Sequence, residues 1–274
     1  MKELAGKVAV VTGGGSGIGE GLVQAFAEER MDVVVADIDE QEAQRVAGDA
    51  TTGGARRALA VRTDVTDRAS VEDLAERVYA ELGSTDVLCN NAGVLLFGSV
   101  AEMRTADWRW VFEVNVFGVV HCLEAFLPRM RAQAGEAHIV NTGSPAGFGG
   151  GARSAIYSAS KNAVVAISEA LRQELAAEEI GVSVLCPSKI DTRILDAQRN
   201  RQPAFGPRAP DPLGTGTARE DAIEPVVLGR FVCDAIRKNE LYIFNTPEVH
   251  RARMLGRFDD ITGALDRAEA TLRG

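Results

Sequence analysis

The sequence predicts an α/β fold: a doubly wound parallel sheet of seven strands with helices on both faces, in a single domain. Three observations carry that prediction. Short β-branched runs alternate with longer amphipathic segments along the chain, the rhythm of strand–helix–strand units. Most of the runs are continuously apolar, as strands covered on both faces must be. The polar and glycine-rich motifs follow the carboxyl ends of those runs, where ligands bind in open sheets of this kind. A chain of 274 residues suits one such domain.

In order, the strands are read at 7–13 (KVAVVTG), 32–37 (DVVVAD), 58–64 (ALAVRTD), 86–91 (DVLCNN), 137–143 (AHIVNTG), 181–187 (GVSVLCP) and 241–245 (LYIFN). Helical periodicity fills 17–30, 40–48, 67–82, 104–132, 154–179 and 219–238. Crossovers joining parallel strands through such helices are right-handed. Residues 199–218 break the rhythm with four prolines and three glycines. An irregular stretch of this length in a compact domain is usually functional or disordered. It is read as part of a substrate lid spanning about 192–218, with a passive loop as the alternative. The tail from about 248 to 274 reads as a charged amphipathic helix.

Composition narrows the function classes. A net charge of −9 argues against a sequence-independent grip on nucleic acid, which needs a basic face. The first apolar run, Val8 to Val11, is too short for a signal-peptide core. No run reaches the roughly 18 apolar residues of a membrane span, so a cytoplasmic protein is expected. Cys89, Cys122, Cys186 and Cys233 are widely spaced, as are His121, His138 and His250. Buried free thiols and no metal site are the expectation.

The segment VVTGGGSGIGEG joins the first strand to the first helix. Its residues Gly13, Gly15, Ser16, Gly17, Ile18 and Gly19 form a Rossmann-like turn. Glycines there permit tight backbone geometry, and the helix N-terminus offers free N–H groups to a phosphate. Asp37 ends the second strand, 18 residues beyond Gly19. A carboxylate at that place accepts both ribose hydroxyls of an adenosine and repels a 2′-phosphate. Neither Ser16 nor Ile38 supplies a basic partner for such a phosphate, so NAD is expected rather than NADP. Asp39 is better placed than Asp37 to cap the second helix.

Together, Thr12-Gly13-x-x-x-Gly17-x-Gly19, Asn90-Asn91-Ala92-Gly93, Asn115, Ser144 and Tyr157-x-x-x-Lys161 resemble the short-chain dehydrogenase/reductase family, in its compact single-domain form. The resemblance covers about residues 5–245. It implies that Tyr157 is the general acid/base and that Lys161, one helical turn on, favours the phenolate and holds the nicotinamide ribose. An unperturbed phenol, with a pKa near 10, is too weakly acidic to serve as a base near neutrality. Ser144 would bond the substrate oxygen, and Asn115 would kink its helix and hold a water leading from Lys161 to solvent. Asp64 and Val65 would hold the adenine, and Asn91, Ala92 and Gly93 would line the adenosine ribose. Pro187, Ile190 and Thr192 would meet the nicotinamide carboxamide. Ser188 and Lys189 depart from the family pattern, which has glycine in place of Ser188. A homotetramer is also implied.

The resulting expectation is an NAD-dependent enzyme interconverting a secondary alcohol and a ketone. Apolar Leu95, Leu96, Pro145, Phe148, Ile194 and Phe205 are the candidate substrate contacts and suggest a hydrophobic or cyclic alcohol. Arg193, Arg199, Arg201 and Arg208 are read as solvated charge, with contact to a substrate carboxylate as the alternative. A hydrolase is disfavoured: NTGSPAG does not match a nucleophile elbow and no histidine is well placed to serve it. Two rival functions stay open, an NADPH-dependent ketone reductase and a non-catalytic NAD-sensing protein.

Overall fold

A computed structural model of the chain describes residues 1–209 and 222–273. Seven parallel strands form one sheet in the order β3-β2-β1-β4-β5-β6-β7. The strands are β1 (Val8–Thr12), β2 (Asp32–Asp37), β3 (Ala58–Arg62), β4 (Val87–Asn90), β5 (Ala137–Thr142), β6 (Ile180–Cys186) and β7 (Tyr242–Phe244). The order reverses between β1 and β4, and this places a crevice beyond their carboxyl ends.

Side chains alternate faces along each strand. Ala9, Val11, Val33 and Val35 meet α1 (Gly17–Glu28), α2 (Glu40–Thr52) and α7 (Pro225–Lys238) on one face. Val8, Val10, Val34 and Ala36 meet α3 (Arg68–Leu82), α5 (Gly118–Ala132) and α6 (Ala155–Glu174) on the other. This two-sided burial explains why the strand segments read as continuously apolar. Helices α1 and α7 approach closely because a Cβ on Gly21 would fall 2.2 Å from the Pro225 backbone. One on Gly229 would fall 2.4 Å from the Gly21 carbonyl oxygen.

Two helices differ from the sequence reading. The helix expected over 104–132 is α4 (Thr105–Phe112) and α5 joined by a π-helical turn, Glu113–Phe117. By length and composition this 28-residue stretch would pass for a membrane span, contrary to the sequence expectation. Its apolarity is that of a core helix: Trp110, Val111, Cys122, Phe126 and Met130 are buried. The helix expected over 219–238 begins at Pro225, a residue suited to a first helical turn because its missing N–H needs no partner. Residues 210–218 of the expected lid and 219–221 of that expected helix lie outside the described residues. The tail is helix α8 (Pro247–Arg273), which presents Leu255, Phe258, Ile261, Leu265 and Leu272 to solvent.

Candidate active site

At the end of β1 the chain turns through Gly13 and Gly17, whose φ values of 63° and 56° lie in the left-handed region that favours glycine. A Cβ on Gly19 would sit 2.0 Å from the Gly13 carbonyl oxygen, so the turn closes only with glycine there. The Ser16 side chain makes no capping bond to α1. The turn is latched to the next strand: Asn91 donates its backbone N–H to Thr12 Oγ1 at 3.0 Å and its side-chain amide to the Thr12 carbonyl at 3.0 Å.

Asp37 is buried at the end of β2. Oδ2 accepts the Gly15 N–H and Oδ1 the Asp39 N–H, both at 2.9 Å. A carboxylate has about four accepting positions, so two remain for the two hydroxyls of a ribose. Burial raises the Asp37 carboxyl, with the two backbone donors acting against it. Asp39 caps α2 by accepting from Glu42, as read from the sequence.

A cavity of about 1060 Å³ runs from this point along the crevice. Ser144, Tyr157 and Lys161 line it together with Gly13, Ser16, Gly17, Ile18, Asp37, Ile38, Asp64, Val65, Asn91, Ala92 and Gly93. Pro187, Ile190 and Thr192, and the apolar Leu95 and Ile194, also line it. Thr192 rests on Gly17, where an added Cβ would meet its side chain at 3.0 Å. The open glycine turn, the uncapped helix start and the accepting capacity of Asp37 fit a dinucleotide.

The chemistry-bearing side chains are built on β5 and α6. Ser144 follows β5, is buried, and its Oγ accepts the Ala146 N–H at 3.1 Å. Lys161 is 4% exposed, and its Nζ donates to the Thr142 carbonyl at 2.7 Å and stands 5.9 Å from the centre of the Tyr157 ring. Burial lowers Lys161 from its usual 10.5 to about 8.

Burial sets the electrostatics of Tyr157 in the protein alone. Burial raises the phenol, and the Ser144 side chain lowers it in opposition. In the protein alone, desolvation therefore works against the help expected from the lysine. The same burial weakens the ammonium that was expected to give that help.

Asn115 sits within the π-helical turn, so the expected kink is present. Its side chain does not line the cavity. Oδ1 accepts the Val94 N–H at 2.8 Å, while Nδ2 donates to the Val94 carbonyl and to Ser160 Oγ, both at 3.0 Å. Ser160 Oγ in turn donates to the Tyr157 carbonyl at 2.8 Å. Asn115 thus braces the loop after β4 against the turn of α6 that carries Tyr157 and Lys161.

Several sequence assignments change. Gly15 and Gly19 shape the turn without lining the cavity. Pro145, Phe148, Leu96 and Phe205 do not line it either. Phe148 turns away onto Tyr242 and Phe244, with ring centres 5.9 and 5.7 Å away. Leu96 and Phe205 join the core around Trp110 and Ile156. Arg201 is not solvated: its side chain is 1% exposed and paired at 2.7 Å with Asp107, also 1% exposed. The Ser188 departure is absorbed by Asn245, which accepts the Ser188 N–H at 2.9 Å and donates to its carbonyl at 2.6 Å. The left-handed backbone falls on Lys189, with φ 56°.

Residues missed by the sequence reading reach the cavity from elsewhere. Gln202 donates to Asp64 Oδ1 at 3.0 Å and to Oδ2 at 3.1 Å. Arg45 donates to the Gly15 carbonyl at 3.4 Å. Neither carries a motif, and only the fold brings them in.

Comparison with known proteins agrees with this architecture. A family model described as short chain dehydrogenase matches residues 7–203. The chain is 38% identical over 259 residues to 1-deoxy-11-beta-hydroxypentalenate dehydrogenase of Streptomyces exfoliatus, covering 93% of this chain and 88% of that one. It is 39% identical over 188 residues to meso-2,3-butanediol dehydrogenase of Serratia marcescens, covering 69% and 73%. Among solved structures, a short-chain dehydrogenase/reductase from Burkholderia phymatum in complex with NAD aligns with a TM-score of 0.89 and 37% identity, over 96% of both chains.

Proposed function

The chain belongs to the short-chain dehydrogenase/reductase family, and on that premise we propose that it oxidises a hydrophobic or cyclic secondary alcohol to a ketone with NAD, reversibly. The observation that carries this reading is the shared cavity: Ser144, Tyr157 and Lys161 line the same crevice as the glycine turn and Asp37. NAD, when bound, accepts the hydride. Gly13, Gly17 and the start of α1 would hold its diphosphate, Asp37 its adenosine ribose, and Asp64 and Val65 its adenine. Lys161 would bond the nicotinamide ribose, and Pro187, Ile190 and Thr192 would border the carboxamide. NAD is proposed over NADP because the buried Asp37 carboxylate would oppose a 2′-phosphate.

In this reading Ser144 Oγ bonds the substrate oxygen and steadies charge developing there. Tyr157 exchanges the proton at its phenolic oxygen. Lys161 passes that proton onward, with Asn115 keeping the turn of α6 in place. Burial works against the phenolate, and Lys161, with the positive ring that an oxidised cofactor would supply, would act in its favour. Leu95, Phe97, Ile194 and Leu195 supply apolar lining that favours an apolar alcohol. A homotetramer and a cytoplasmic setting are part of the same proposal and rest on the family resemblance.

A panel of secondary alcohols, from short diols to polycyclic alcohols, assayed with NAD and NADP tests the reading. Reduced NAD should form fastest with cyclic or hydrophobic alcohols. Turnover only with NADP would transfer the assignment to the NADPH-dependent ketone reductase, and no turnover with any alcohol or ketone would favour the non-catalytic NAD-sensing protein.

A further inference from the structure

After β6 the chain does not simply border a substrate pocket. Residues 192–202 cross the crevice on its dinucleotide side, pinned at intervals to three different elements. Arg193 pairs with Glu42 of α2 at 3.1 Å. Gln202 holds the Asp64 carboxylate and accepts the Trp110 indole N–H at 3.1 Å. The far end is anchored by the buried Arg201–Asp107 pair, with the Arg201 guanidinium 5.1 Å from the Trp110 ring centre.

Arg199 lies between these anchors and lines the cavity. Its Nη1 donates to the carbonyls of Arg193 at 3.0 Å and Asp196 at 3.1 Å. Its Nη2 is directed at Ser16 Oγ, 3.5 Å away, at the start of α1. That hydroxyl makes no capping bond to the helix, so the amides of the first turn have no side-chain partner from it. A cation held by carbonyls on one edge, half-buried and touching a helix N-terminus, is placed to meet an anion seated on that first turn. Asp37 and Asp39 on β2 and α2, and Asp196 and Arg193 on its own segment, are the charged groups acting on Arg199.

We propose that Arg199 is a cofactor-positioning residue that clamps the diphosphate of the dinucleotide against the first turn of α1, so that residues 192–202 act as a strap across the bound cofactor. This rests on the dinucleotide reading above. The bridging diphosphate is the assigned ligand because Asp37, which acts on Arg199, repels a 2′-phosphate.

The test is calorimetric titration of the full chain with NAD, NADP, ADP-ribose and adenosine, for the wild type, Arg199→Gln and Arg199→Lys. Arg199→Gln should weaken NAD and ADP-ribose by roughly tenfold to a hundredfold, the effect of removing a charge-assisted hydrogen bond. Adenosine affinity and thermal melting should be unchanged, and Arg199→Lys should recover part of the loss. Equal NAD affinity in wild type and Arg199→Gln overturns the proposal. So does a loss confined to NADP, which would put Arg199 on a 2′-phosphate, or an equal loss for adenosine, which would make its role structural. Should the wild type itself bind neither NAD nor NADP, it is the dinucleotide reading that fails.

Discussion

Replacing Lys161 with methionine should make the protein more stable at neutral pH while removing its activity. The lysine is 4% exposed, and burial depresses its pKa from 10.5 to about 8. For a base depressed in the folded state, the unfolded chain binds more protons between those two values. The penalty is therefore fully present below pH 8 and is relieved as pH rises towards 10.5. At about 1.4 kcal/mol per pH unit the shift corresponds to about 3 kcal/mol. Methionine removes that penalty and also the bond to the Thr142 carbonyl, worth about 1 kcal/mol. The net expectation at pH 7 is a gain of about 2 kcal/mol, reversing to a small loss near pH 11. Urea unfolding of the cofactor-free wild type and Lys161→Met across that range measures it. A variant that is less stable at pH 7, or a difference that does not change with pH, would refute the reasoning.

Asp107→Asn should leave Arg201 buried without its carboxylate and cost about 3–5 kcal/mol in urea unfolding, as broken buried pairs do. His138 is buried, bonded to Ser183 Oγ at 2.8 Å, and held neutral with its pKa lowered to about 3. Its contribution is present above pH 6.5 and is lost as pH falls towards 3, by up to about 5 kcal/mol; His138→Gln should flatten that acid limb in pH-dependent unfolding. Asp37→Asn should move the ratio of NADP to NAD affinities at least about tenfold towards NADP in paired titrations, the scale of one lost charge repulsion; an unmoved ratio would remove Asp37 from cofactor selection.

The sheet was legible in the sequence because its central strands bury both faces, which leaves a run such as VAVV continuously apolar. The order β3-β2-β1-β4 puts both the glycine turn and Asn91 at the switch point, so motifs far apart in sequence share one crevice. Tyr157 and Lys161 were legible because four residues on a helix return to the same face. The substrate wall was not, since adjacency along the chain says nothing of direction. Phe148 lies only four residues beyond Ser144, yet the 3₁₀ turn between them aims it at β7. The burial of Arg201 depends on Asp107, 94 residues away, and charge alone reads as solvated. The burial of Tyr157 and Lys161 was not legible for a related reason: spacing reveals that two groups are near, and only packing reveals how much water both have lost.

The most direct measurement of the central claim compares Tyr157→Phe with the wild type in single-turnover oxidation of an alcohol that the wild type accepts, alongside NAD titration of both. Loss of nearly all hydride transfer with NAD affinity unchanged within about twofold is the expected result, since only the proton-bearing oxygen is removed. Hydride transfer at the wild-type rate in Tyr157→Phe would contradict it.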